Sequence, residues 1–240
     1  MIINNDYTNY HLIDEHTKFE NFKREFSHLY SEDDWQEIEK HFFRLLDSKD
    51  VPSMISQVYS RLGLNTPSVK KYNYHLERIK DIFSLNRNII EVGGGFLPAF
   101  GELVAEEQLK IGKGTITVYD PRLVFNEPKY INMTLHKEYF TTNSDVSNHD
   151  LLVGIYPCEA TEAIIESAIK NDKDFYVAMC GCSHKTLYNG LYTSSPGEFQ
   201  NAVINKSRDL IESKGNGVLK VTTMKGDYSN WPILYYKRTK

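Results

Sequence analysis

The 240-residue chain is poor in the features that mark several classes of protein. It has three cysteines, an odd number with two of them one residue apart, which is not the framework of a disulfide-stapled secreted domain. No apolar run approaches the roughly 20 residues a membrane span requires. The opening MIINNDYTNYHLIDEH lacks a basic segment followed by an apolar one, so no membrane partner and no secretory leader are expected, and the protein is expected in the cytoplasm. Excess charge of one sign is also missing. The 28 Lys and Arg stand against 32 Asp and Glu, for a net charge of -4, so nucleic acid is not favoured as a partner. Repeats and low-complexity segments are absent. What remains is 40% hydrophobic, enough for one sizeable core and a small appendage without staples.

Residues 1–85 read as a helical N-terminal extension or cap ahead of a domain at 86–240. Ser31 and Asp34 resemble a capping box with Asp in place of Glu, and Trp35, Ile38, Phe42, Leu45 and Leu46 follow at helical spacing. A second helix is predicted from near Asp50, with Pro52 in its first turn and Gly63 as its stop. A third starts at Thr66 and Pro67 and carries Val69, Tyr72, Leu76, Ile79 and Phe83. A weaker one covers residues 17–29. The tyrosines of this region, Tyr7, Tyr10, Tyr59, Tyr72 and Tyr74, are too scattered to form a binding code.

From Ile89 onward strand and helix patterns alternate, which predicts a parallel sheet with helices on both faces. Strands are expected at 88–92, 115–119, 130–135, 150–156, 174–180, 217–224 and 232–238, and helices near 97–110, 159–171 and 196–214. The last two strands, VLKVTTM and PILYYKR, are joined by Lys225 to Trp231 as a hairpin, so the final strand should run antiparallel.

The stretch Asn88 to Glu107, NIIEVGGGFLPAFGELVAEE, carries the grammar of a ligand site. Ile89, Ile90 and Val92 suit a strand buried on both faces. Gly93, Gly94 and Gly95 allow a sharp turn and close approach to a ligand, and Phe100, Leu103 and Val104 give the following helix a core-facing stripe. Strand, glycine loop and helix form the first unit of a Rossmann-like sheet. A dinucleotide fingerprint would place a third glycine where Pro98 stands, so NAD is disfavoured. The next strand, GTITVYD, ends in Asp120, a carboxylate that can accept from both hydroxyls of a ribose.

Glu91-Val92-Gly93-Gly94-Gly95 reads E-x-G-x-G and resembles motif I of the class I methyltransferases, which use S-adenosyl-L-methionine. The resemblance implies a seven-stranded, mostly parallel Rossmann-like methyltransferase sheet. It assigns the ribose to Asp120 and the cofactor's amino-acid end to Gly93 and Gly95, with Glu91, Gly94 and Tyr156 beside them. In that fold a polar residue after the third strand commonly reads the adenine amino group, which offers Asp145, although Thr142, Asn143 and Asp145 also make an ordinary solvated turn.

After the fourth strand, GIYPCEATEAIIESAI, and after the fifth, DFYVAMCGCSH, the chain resembles a methyltransferase branch that includes the methyltransferase-like 25 relatives and the tRNA methyltransferase Trm13 group. It departs from that branch at Cys180-Gly181-Cys182, where adjacent cysteines are usual, and at Tyr156-Pro157, where a histidine is. The resemblance brings Cys158, Cys180, Cys182 and His184 to one edge, either as a Cys3His set for zinc or as small packed residues. The C-x-C-x-H spacing is not the usual C-x2-C, and no metal is expected. Tyr156, Glu159 and His184 are the candidates for removing a proton from a methyl acceptor. Glu159 also fits the start of a helix, where the dipole favours an acid. Asp227 to Trp231 would return over the same edge as an aromatic wall or as a turn with Trp231 packed beneath it.

The expected activity is therefore methyl transfer to an unidentified acceptor, a small molecule or a protein rather than nucleic acid. Gly95-Phe96-Leu97-Pro98 also resembles the cofactor loop of nicotianamine synthases, which implies aminobutanoyl transfer from the same cofactor. A non-catalytic partner-binding domain is the third reading. Nothing in the sequence sets the oligomeric state.

Overall fold

Alternation along the central strands decides which helix covers which face. The computed structural model describes residues 67–95, 97–123, 125–181, 195–214, 217–224 and 231–238, with positions 20, 23–24, 27, 31–33, 35–36 and 39 ahead of them. In chain order the elements are α1 (Pro67–Phe83), β1 (Asn88–Val92), α2 (Ala99–Ile111), β2 (Thr115–Tyr119), β3 (Met133–His136) and β4 (Leu151–Ile155). A 3-10 turn (Cys158–Ala160), α3 (Thr161–Lys170), β5 (Asp174–Ala178), α4 (Pro196–Lys214), β6 (Gly217–Thr223) and β7 (Pro232–Arg238) follow.

The seven strands form one sheet in the order β3-β2-β1-β4-β5-β7-β6. The first five strands pair in parallel, and β7 lies antiparallel between β5 and β6. Every residue of β4 and β5 is buried, as a parallel sheet covered on both faces requires. Ile89, Leu151, Val153, Tyr176 and Ala178 face one core with Leu76, Ile79 and Phe83 of α1 and Phe100 and Val104 of α2. Ile90, Val92, Leu152, Phe175 and Val177 face the other, against Ile164 and Ile165 of α3 and Phe199 and Val203 of α4. Burying each such aliphatic or aromatic side chain contributes roughly 1.5–3 kcal/mol, so tertiary packing holds these short helices.

Leu76, Ile79 and Phe83 of α1 thus share the core of the sheet. Of the earlier helices, positions 20, 23–24, 32–33, 35–36 and 39 are helical, and Trp35 is buried with its indole N–H donating to the Ser27 carbonyl at 3.2 Å. The helix expected from Asp50 to Gly63 lies outside the described residues.

Two elements differ from expectation. The third strand begins at Met133 rather than 130, because Tyr130–Asn132 form a turn closed by the Met133 N–H on the Tyr130 carbonyl at 3.1 Å. Ile131 in that turn is 96% exposed, so its apolar character reports no burial. After β4 the chain makes the 3-10 turn before α3 starts at Thr161, because Tyr156 and Cys158 both adopt positive φ, 58° and 50°, which a helix cannot continue through.

Candidate active site

The glycine loop leaves β1 at the carboxyl edge of the sheet. Gly93 and Gly95 have φ of 81° and 78°, a region that side-chain-bearing residues rarely enter. A Cβ on Gly93 would lie 2.9 Å from Pro157 Cα, so the loop is pressed against the turn that follows β4. Gly93 also donates its N–H to the Tyr119 carbonyl at 2.9 Å, extending the β1–β2 ladder by one rung. That rung sets the loop beside the end of β2.

Asp120 meets it there. The residue is 2% exposed, and its Oδ2 accepts the Gly95 N–H at 2.8 Å. Its Oδ1 accepts the Arg122 backbone N–H, also at 2.8 Å. The Arg122 guanidinium closes over both oxygens, with Nε at 3.2 Å from Oδ1 and an Nη at 3.3 Å from Oδ2. Arg122 is a site residue that sequence reading missed. Its only signal was position, two residues after the acid that ends β2.

Glu91 does not point into the loop's concavity. It lies on the α2 side of β1, completely buried, with its carboxyl against Gly94, Gly101 and Val118. Its Oε2 makes no hydrogen bond among the described residues. Burial pushes its pKa up to about 8, the Asp120 and Glu102 carboxylates add to the rise, and the Gly101 N–H opposes it. Glu91 is therefore mostly the neutral acid at pH 7 and underlies the loop from within the core. Gly101 takes over the packing role that a dinucleotide site gives to the position Pro98 occupies. A Cβ there would stand 2.6 Å from Glu91 Oε2 and 2.7 Å from Val118 Cγ2, so α2 approaches the sheet through Gly101.

At the exit of β4, Tyr156 keeps the ladder through its N–H on the Ala178 carbonyl at 2.8 Å. Its phenol turns toward α1, where His75 Nε2 stands 3.4 Å away, and His75 Nδ1 lies 2.8 Å from the Tyr176 hydroxyl. Burial, with a smaller push from Lys71, lowers the His75 pKa to about 3, so the ring is neutral and has one donor and one acceptor. One ring nitrogen therefore donates to one tyrosine oxygen and the other accepts from the second tyrosine, and the Tyr156 hydroxyl also lies 3.9 Å from Met224 Sδ. His75 sits on the apolar stripe of α1 between Tyr72 and Ile79, and no local pattern marks it as a partner of two tyrosines.

Trp231 closes the same corner. Its ring meets Tyr156 edge-on at 5.8 Å, and a Cβ on Gly181 would fall 2.0 Å from it, so the indole rests on the backbone that leaves β5. Trp231 is 38% exposed, and the turn it would wall or underlie lies outside the described residues. Glu159 is exposed within the 3-10 turn. Cys158 is partly buried, and Cys180 is buried with its carbonyl accepting Gln200 Nε2 at 2.9 Å. Cys182, His184 and residues 225–230 lie outside the described residues. Asp145 is exposed, and its Oδ1 accepts the Ser147 N–H at 2.9 Å, which draws its pKa down. It forms an Asx turn in the 137–149 segment, whose Phe140 and Val146 cover the face of β2 opposite α2.

The structure therefore brings Gly93, Gly94, Gly95, Asp120, Tyr156 and Trp231 to one edge, with Glu91 beneath the loop. Ligands of open parallel sheets bind at this edge. The seven-stranded sheet, parallel but for the reversed β7, is the mostly parallel arrangement the motif resemblance implied. The chain has the class I methyltransferase fold.

No family model matches the sequence, and no curated protein does. Solved structures are similar at low identity. Magnesium protoporphyrin IX methyltransferase from Synechocystis PCC 6803, with bound S-adenosylhomocysteine, is 11% identical over 71% of this chain and 82% of its own, with a TM-score of 0.48. Precorrin-6y C5,15-methyltransferase from Geobacter metallireducens is 16% identical over 64% and 80%, with a TM-score of 0.37. Fibrillarin from Aeropyrum pernix, with natively bound S-adenosyl-L-methionine, is 13% identical over 63% and 66%, with a TM-score of 0.41. These likenesses are too distant to carry a function across. Among the described residues no helix is long and apolar enough to cross a membrane.

Proposed function

We propose that the chain is an S-adenosylmethionine-dependent methyltransferase of the cytoplasm, acting on a small molecule or a protein. The observation that carries the reading is the Asp120 carboxylate at the end of β2, held 2.8 Å from the Gly95 N–H of a loop whose Gly93 and Gly95 take positive φ. A buried acid fixed beside a glycine loop fits a ribose, since both of its oxygens can accept from a vicinal diol. Bound there, S-adenosylmethionine supplies a methyl group on a sulfonium.

The chain then has three tasks, which are to hold the donor, keep water out and take a proton from the acceptor where one must leave. Gly93, Gly94 and Gly95 give the backbone approach. Asp120 fixes the ribose end, and Asp145, in the loop beyond β3, is the residue offered to the adenine. Tyr156 and Trp231 form an apolar wall at the exit of β4. Tyr156, Glu159 in the turn after β4 and His184 are the candidates to take the proton. The near-balanced charge favours a small molecule or a protein over a polyanion.

Calorimetric titration with S-adenosylmethionine and S-adenosylhomocysteine, with NAD as control, tests the cofactor. Binding of the first two and not of NAD is expected; binding of none, or of NAD alone, sinks the reading. Product analysis with cell extract then separates methyl transfer, which releases S-adenosylhomocysteine, from aminobutanoyl transfer, which releases methylthioadenosine.

A further inference from the structure

The Asp120 carboxylate has its full complement of donors. Each oxygen accepts along two lone-pair directions. On Oδ2 these are taken by the Gly95 N–H and a guanidinium Nη of Arg122, and on Oδ1 by the Arg122 backbone N–H and its Nε. Two of the four donors are backbone groups fixed by the loop and by the turn after β2. The other two form one edge of a guanidinium, a pair of vicinal donors that meets both oxygens side by side.

A ribose presents the same pattern. Its two hydroxyls are vicinal donors, and a carboxylate with two backbone N–H bonds has one direction left on each oxygen to receive them. We propose that the Arg122 side chain is a place-holder that the ribose diol of the bound cofactor displaces, an inference that rests on the cofactor reading above. Asp120 is 2% exposed, so opening its two lone-pair sites without a replacement would leave a buried charge partly unsatisfied. Entry of the diol and departure of the guanidinium are therefore one exchange. The side chain of Arg122 is 52% exposed, and its charge can move into solvent as it leaves. Arg122 thus competes only with ligands that carry a ribose diol, and narrows the margin by which the site prefers them to ligands that lack one.

The test compares wild type, Arg122→Ala and Arg122→Met by calorimetry, each checked first by thermal unfolding. The probes are S-adenosylhomocysteine and its analogue lacking both ribose hydroxyls. Removing the competitor is expected to tighten S-adenosylhomocysteine binding by about fivefold in both variants, the scale of one solvent-facing ion pair. Binding of the analogue should not change, because it leaves Arg122 in place. Unchanged or weaker binding of S-adenosylhomocysteine by both variants, or an equal gain for the two ligands, overturns the place-holder role while leaving the cofactor reading intact. Failure of all three proteins to bind S-adenosylhomocysteine overturns the cofactor reading and this inference with it.

Discussion

The His75 imidazole and the Tyr176 hydroxyl meet 2.8 Å apart in the core, joining α1 to the middle of β5. Replacing His75 by Leu keeps the apolar packing but leaves the Tyr176 hydroxyl buried without this partner. A loss of about 1–3 kcal/mol is expected in urea unfolding. A change below about 0.5 kcal/mol, the range of ordinary surface substitutions, would show that the contact carries no stability.

His75 and Glu91 give stability opposite slopes in pH. His75 has its folded pKa lowered from 6.5 to about 3, so below 6.5 the unfolded chain takes up the proton first and stability falls as pH drops toward 3. Glu91 is raised from 4.5 to about 8, so the folded state holds the extra proton and stability is lost as pH rises from 4.5 through 8. The two slopes oppose one another between 4.5 and 6.5, which predicts a broad maximum there. Glu91→Gln should remove the decline above pH 6.5, a slope of up to about 1.4 kcal/mol per pH unit. Parallel pH profiles of wild type and variant would rule out a neutral Glu91.

Gly101 lies inside α2, where exchange for Ala ordinarily stabilises a helix by roughly 0.5–1 kcal/mol. Here the added methyl would stand 2.6 Å from Glu91 Oε2 and 2.7 Å from Val118 Cγ2. Gly101→Ala is expected to cost about 1–3 kcal/mol instead. A gain in melting temperature would mean that α2 can lift from the sheet.

Asp120→Ala removes the acceptor proposed for the ribose. S-adenosylhomocysteine binding should weaken by about 1–3 kcal/mol, roughly 5- to 150-fold, in calorimetry. An unchanged dissociation constant would place the ribose elsewhere.

Much of this architecture was legible because burial and periodicity coincide. NIIEV and TITVY are short apolar runs bounded by polar and glycine residues, and both strands fall where the pattern put them. The reading failed where apolar character and burial part company, as at the exposed Ile131, and where the backbone does something unusual, as at Tyr156 and Cys158. The glycine loop and Asp120 were visible for the same local reason as the strands. His75 and Arg122 were not. His75 gains its meaning from Tyr156 and Tyr176, far along the chain, and Arg122 from the particular lone pairs it covers.

Tyr156 touches partners from both flanks of its own strand in sequence, His75 from before the sheet and Trp231 from after nearly all of it. During synthesis, a chain that has emerged only through α4 carries β1 to β5 in their parallel order, with the edge of β5 still open where β7 will pair. Until Trp231 and β7 emerge and dock, the site lacks one wall and the sheet exposes a border strand that is apolar from Phe175 to Ala178. The interval between making α4 and making β7 is thus when this protein is most exposed to wrong pairing, and a chaperone or a pause in translation would have its greatest effect there.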